Sequence, residues 1–130
     1  ILLFIGPMLI ISHQPNCAIA MEGRCITLEK ADNESKREQG LSYRNSMPAT
    51  QGMLFVFDRP EEQCFWMKDM KYSLDLIWLD QNKRIIDVKE HVAPETYPQS
   101  FCVGNSKYVI ELNSGVYKKT HLSIGQKLEL

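Results

Sequence analysis

The sequence predicts a mainly β domain, an antiparallel β-sandwich or barrel of about six to seven short strands with one helix over residues 34–44. Three observations predict it. Short apolar or alternating runs recur between polar, Gly- or Pro-containing breaks. These runs mostly follow one another, with no alternation of strand and helix, which argues against a doubly wound α/β fold. A single stretch has the composition of a helix.

The elements follow in chain order. Ile1-Leu2-Leu3-Phe4-Ile5-Gly6-Pro7-Met8-Leu9-Ile10-Ile11-Ser12 is almost wholly apolar, and no Asp, Glu, Lys or Arg precedes Glu22. Twelve such residues fall short of the roughly 20 needed to span a bilayer as a helix. Pro7 spoils a strand or helix interior, and residue 1 is Ile rather than Met. Residues 1–23 are therefore expected to be a truncated signal peptide or signal anchor with its linker. Residues 24–130 are expected to form one globular domain.

Arg24-Cys25-Ile26-Thr27-Leu28-Glu29-Lys30 alternates apolar and polar residues and reads as a half-buried strand. Asp32 or Asn33 can cap the helix that follows. Residues 34–44 are rich in Glu, Lys, Arg and Gln and lack β-branched residues, with Gly40 as a weak point. Gly52-Met53-Leu54-Phe55-Val56-Phe57 reads as a strand buried on both faces, and residues 58–62 as a polar turn. Residues 64–70 and 74–79 are strand-like, residues 80–83 a hairpin loop, and residues 84–92 a returning strand. Pro94 and Pro98 bound a loop. Residues 107–112 form a further strand, residues 114–120 a helical turn, and residues 127–130 a closing strand.

Composition narrows the function. Hydrophobic residues make up 44% and charged residues 24%, as in ordinary globular domains rather than disordered chains. Lys plus Arg is 15 against 16 Asp plus Glu, so the basic excess of a phosphate-binding surface is missing and nucleic acid is not an expected partner. The seven glycines contain no Gly-x-Gly, so no phosphate-cradling loop and no cofactor is expected. No Gly-x-Ser-x-Gly elbow occurs, and neither Ser42 nor Ser114 suggests a partner His and acid.

Cys17, Cys25, Cys64 and Cys102 include no Cys-x-x-Cys, and the histidines are far apart, so no zinc or other metal site is expected. An even cysteine count behind an export-like leader predicts disulfides in an extracytoplasmic protein, membrane-anchored or secreted. Of the three connectivities, Cys64 with Cys102 and Cys17 with Cys25 is preferred, because Cys64 and Cys102 flank aromatic strands and Cys17–Cys25 is a local clip.

The central block carries a resemblance. Arg37-Glu38-Gln39-Gly40-Leu41-Ser42-Tyr43-Arg44, Gly52-Met53-Leu54-Phe55-Val56-Phe57, Phe65-Trp66-Met67-Lys68-Asp69-Met70, Leu74-Asp75-Leu76-Ile77-Trp78-Leu79-Asp80 and Tyr108-Val109-Ile110-Glu111-Leu112 occur in that order, with Gly115 and Gly125 beyond. This resembles the bacterial and archaeal domain of unknown function 192 family over residues 24–130. The resemblance implies a compact, mostly β domain, often behind a signal peptide or anchor, and it implies no established activity. Ser42 stands where the family usually has Met, and Asp69-Met70 where it has Asn-Thr. The Cys64 and Cys102 pair is not part of the family pattern.

Period two puts Trp66, Lys68 and Met70 on one strand face and Phe65, Met67 and Asp69 on the other. Asp75 and Glu111 sit among apolar strand neighbours and need partners, for which Arg37, Arg44 and Lys68 are available. One reading is a charged network that sets sheet register. Another is a shallow ligand pocket with Trp66 as apolar wall and Arg44, Lys68, Asp75 and Glu111 as polar fixtures. The preferred function is a non-enzymatic binding module of the cell envelope. Its expected partners are the membrane, through the apolar start, and an envelope protein, small ligand or glycan. The alternative is a hydrolase or transferase using Asp75 and Glu111 as general acid and base. His91 and His121 are expected to be exposed.

Overall fold

A computed structural model describes residues 17–130; the apolar run expected to act as a leader lies outside the described residues. The chain order is β1 (Ala20–Met21), β2 (Arg24–Cys25), β3 (Thr27–Ala31), α1 (Glu34–Gln39), β4 (Gln51–Phe65), β5 (Leu74–Leu79), β6 (Ile85–Val92), a 3-10 turn (Pro94–Thr96), β7 (Phe101–Asn113) and α2 (Val116–Thr120). The mainly β expectation holds. A small β1–β2 hairpin adjoins a five-stranded sheet of order β3-β4-β7-β5-β6.

The expected boundary at residue 24 moves N-terminally. Ile19 and Met21 are buried in the core, Ile26 donates its N–H to the Ile19 carbonyl at 2.9 Å, and a disulfide joins Cys17 to Cys25. Hydrophobic burial thus draws residues 17–23 into the globular unit.

The sheet is mixed rather than wholly antiparallel, because β3 pairs parallel with β4. Two parallel neighbours need a crossover, and α1 with the loop after it supplies that crossover. The helix starts where expected: the Asn33 side chain accepts from the Lys36 N–H at 2.9 Å. It ends at Gln39, not at residue 44, because Gly40 turns to φ 49° and donates its N–H to Lys36 O. A Cβ at Gly40 would lie 3.2 Å from Phe55 Cζ, so glycine also lets the turn settle on the sheet.

Three further expectations shift. Residues 58–62 do not leave the sheet as a turn; β4 continues through them with register shifts between Val56 and Glu61 and between Glu61 and Gln63. The strand expected over residues 64–70 stops at Phe65, and Asp69 adopts φ 59°, which breaks strand alternation. The closing strand reduces to one bridge, Arg84 with Lys127, while Leu128 is buried in the core. The hairpin over residues 80–83 forms as expected, its turn held by Asp80 Oδ1, which accepts from the Asn82 and Arg84 N–H groups.

Apolar side chains pack on both faces of the sheet. On β5, Ile77 and Leu79 join one cluster while Leu74, Leu76 and Trp78 join the other. On β7, Ile110 and Leu112 pack with the first and Val109 with the second. The second face is braced by edge-on aromatic contacts, Phe55–Phe65 at 4.9 Å and Phe65–Trp78 at 6.3 Å. The buried Trp78 indole N–H donates to Gln63 O at 3.1 Å, so its burial leaves no orphan donor.

Candidate functional site

The second face carries an open cleft of about 910 Å³. The α1 crossover forms one wall, the 66–70 turn forms the other, and Phe55, Phe57, Gln63 and Phe65 of β4 lie between them with Glu111 of β7. The walls are stitched together at one end. The Tyr43 hydroxyl donates to Asp69 Oδ2 at 2.9 Å, and the Tyr43 N–H donates to Asp69 O at 3.0 Å. The Asp69 carboxylate accepts this hydrogen bond, which favours the protonated phenol and pushes the Tyr43 hydroxyl pKa up. Left-handed Tyr43 (φ 67°) and Asp69 (φ 59°) lie at this junction.

Trp66 stands at the rim, 50% exposed, edge-on to Tyr97 at 5.3 Å. Lys68 Nζ lies 5.7 Å from the Trp66 ring centroid, and the Arg37 guanidinium lies 5.5 Å from that of Phe57. Arg37 also donates to Val56 O at 3.0 Å, which fixes α1 to β4.

Glu111 is the anomaly. Its residue is 6% exposed, it lines the cleft, and its Oε2 has no hydrogen-bond partner among the described residues. Burial raises its pKa to about 8, with the Arg44 guanidinium pulling in the opposite direction. Arg44 itself is committed to a bidentate pair with Glu29, at 2.9 and 3.2 Å, and this pairing lowers the Glu29 pKa. Tyr72, whose buried hydroxyl is also unpartnered, feels both Arg44 and Glu111, and desolvation raises its pKa.

Of the expected pocket residues, Trp66, Lys68 and Glu111 therefore meet at one cleft, and Arg44 sits close enough to act on Glu111 through its charge. Asp75 does not join them. It pairs with Leu112 in the register, whereas Glu111 pairs with Leu76, so the two carboxylates leave the sheet on opposite faces. Asp75 is wholly buried and accepts three backbone N–H bonds: His91 at 2.9 Å, Gly115 at 2.9 Å and Tyr117 at 3.0 Å. A sheet separates the proposed acid and base, so paired acid–base work on one bond is ruled out. Asp75 instead ties β6 and the start of α2 to β5.

The structure adds a pair that the sequence did not suggest. His91 Nδ1 and Ser114 Oγ are 2.6 Å apart. The arrangement is not a hydrolase triad. Asp75 takes the His91 backbone N–H rather than the ring, and the Gly115 and Tyr117 N–H groups, the nearby backbone donors for an oxyanion, are consumed by the same carboxylate. His91 and His121 are exposed, as expected.

Both expected disulfides form, Cys17–Cys25 and Cys64–Cys102. The second joins directly opposed residues of β4 and β7, and Cys64 lines the cleft. Glu62, Cys64 and Cys102 are the group of potential metal ligands gathered among the described residues, but the disulfide occupies both sulfurs. Two disulfides and no free cysteine among the described residues point to an oxidising, extracytoplasmic environment. Among the described residues, no helix is long and apolar enough to cross a membrane.

Fold and cleft together define a small β domain with a ligand-sized recess. The chain belongs to the DUF192 family, described as Uncharacterized ACR, whose model matches residues 17–130. It is similar to a crystal structure of a candidate transcription regulator from Sinorhizobium meliloti, with 34% identity, a TM-score of 0.76, and coverage of 80% of this chain and 81% of that one. It also shares its fold with a protein of unknown function from Novosphingobium aromaticivorans, with 23% identity, a TM-score of 0.77, and coverage of 82% and 76%. No curated protein matches the chain.

Proposed function

We propose that the protein is an exported or membrane-anchored binding module of the cell envelope whose cleft takes a saccharide or a glycan segment. The apolar residues 1–12 would serve as the leader or anchor. The observation that carries the reading is the pairing of an exposed Trp66–Tyr97 aromatic edge with a polar-lined recess of about 910 Å³. Sugars present apolar C–H faces and peripheral hydroxyls, and such a site offers one surface for each. The ionisable groups around the cleft are of mixed sign: Arg37 and Lys68 against Glu34, Glu38 and Asp69, with Glu111 largely uncharged at neutral pH. A neutral or weakly charged ligand suits that balance better than a polyanion.

The name of the Sinorhizobium meliloti protein favours a second reading, DNA binding. For this chain, a net charge of -1 and described helices of six and five residues argue against it. The test is calorimetric titration with chito- and cello-oligosaccharides, beside a duplex DNA arm at low salt. Saccharide binding lost in the Trp66→Ala, Lys68→Ala double variant supports the reading. Tight DNA binding with no saccharide heat refutes it.

A further inference from the structure

We propose that Glu111 is the specificity contact of this cleft, donating a hydrogen bond from its carboxylic acid to an oxygen acceptor of an uncharged ligand. The inference rests on the cleft reading above and deepens it. Its first support is geometric. Glu111 lines the recess, it is more than nine-tenths buried, and its Oε2 has no partner among the described residues. A buried polar atom without a protein partner is costly, and in the lining of a recess a ligand can supply the missing partner. Asp75, the other carboxylate buried in the same sheet, accepts three N–H bonds and has no such need.

The second support is the surrounding charge. Among the described residues, Arg44 is the basic group whose charge opposes the upward shift of Glu111, and Glu29 holds it by both terminal nitrogens. Tyr72 is the other titratable neighbour, with its hydroxyl also unpartnered. Directly across the register, Met53 of β4 and Leu76 of β5 bring no charge. Around the rest of the cleft, Arg37 of α1 is bonded to Val56 O, Tyr43 is bonded to Asp69, and Lys68 lies over Trp66. None of these hydrogen-bonds Glu111. Desolvation therefore dominates and keeps the acid protonated at neutral pH, with a midpoint of about 8.

A protonated carboxyl offers one O–H donor and accepts through its other oxygen. A sugar hydroxyl or ring oxygen satisfies it, whereas an anionic ligand gains little beside an acid that can ionise. Affinity should then fall as pH rises through about 8, because the ionised form has lost its donor. The amide of glutamine keeps a donor and an acceptor without a proton to lose.

The experiment uses the full chain with both disulfides intact and cello- and chito-tetraose as probes, titrated from pH 6 to pH 9.5. The wild type should weaken at least tenfold over that range. Glu111→Gln should stay within threefold across it, and Glu111→Leu should bind at least tenfold more weakly than wild type at pH 6. Near-UV circular dichroism confirms that each variant is folded, and 13C-carboxyl NMR of the unliganded wild type should titrate Glu111 well above the ordinary carboxylate range. If Trp66→Ala abolishes binding but Glu111→Leu does not, this inference fails and the cleft reading stands. If neither substitution matters, or neither probe binds, both fail. An ordinary Glu111 midpoint, near 4 to 5, overturns the inference by itself.

Discussion

The two faces of the five-stranded sheet hold one buried carboxylate each, and they treat it in opposite ways. Asp75 is sealed among backbone donors from His91, Gly115 and Tyr117, so both of its oxygens are engaged by the fold. Glu111 is nearly as deep, on the neighbouring strand, yet its Oε2 is left unpartnered beside an open recess. Depth is common to both, so depth does not separate structure from function here. Satisfaction does. A carboxylate with both oxygens engaged by backbone donors is a fastener, and one with an unpartnered buried oxygen in the lining of a cleft is a contact in waiting.

The largest expected effect breaks the Asp75 side. Asp75→Ala leaves three backbone donors without their acceptor and should cost about 3–5 kcal/mol in urea denaturation, enough to unfold much of the protein at physiological temperature. A loss under about 1 kcal/mol would dissolve the contrast. Next comes Gly52→Ala, beneath Glu111. A Cβ there would stand 2.7 Å from the Glu111 carbonyl oxygen and 2.7 Å from Leu112 Cδ2. Strand separation would have to grow, at about 2–3 kcal/mol, with weakened protection of β4 and β7 in hydrogen exchange.

Glu111→Gln sharpens the contrast through pH. The raised pKa in the folded state means that the stability linked to the Glu111 proton is full below the unfolded value near 4.5 and is lost as pH climbs through about 8. Thermal melts should therefore match wild type at pH 4 and favour the variant at pH 9, by roughly 1–4 kcal/mol. A wild-type advantage at pH 9 would mean that the buried group prefers its charge. The smallest effect is Trp66→Ala. At 50% exposure the ring gives up only part of its burial, so stability should fall by about 1 kcal/mol while saccharide binding disappears.

Much of this was legible along the chain. Period two sorted β5 and β7 correctly: Asp75 falls with Ile77 and Leu79, and Glu111 with Val109. The placement of the two carboxylates on opposite faces was not legible, because it depends on which residue of β7 meets which residue of β5, a long-range register. The parallel β3–β4 pair was hidden for the same reason. Trp66 and Lys68 were picked out by type, but their convergence with Asp69 was obscured. Alternation assigns Asp69 to the other face, and the left-handed turn at Asp69 cancels alternation there. Tyr43, which closes one end of the cleft, looked like a helix residue until Gly40 ended the helix.

The parallel pairing of β3 with β4 has a consequence for how such sites diversify. It obliges the chain to travel over one sheet face between residues 32 and 50, and that single contiguous excursion supplies a whole side of the recess. The strands beneath hold their register through the β4–β7 pairing and the Cys64–Cys102 tie, and the excursion meets β7 where the Asn113 side-chain amide donates to the Met47 carbonyl. On the binding reading proposed above, the excursion is a swappable cassette: grafting it from one homologue onto the sheet of another, with the Met47–Asn113 contact kept, should transfer ligand preference.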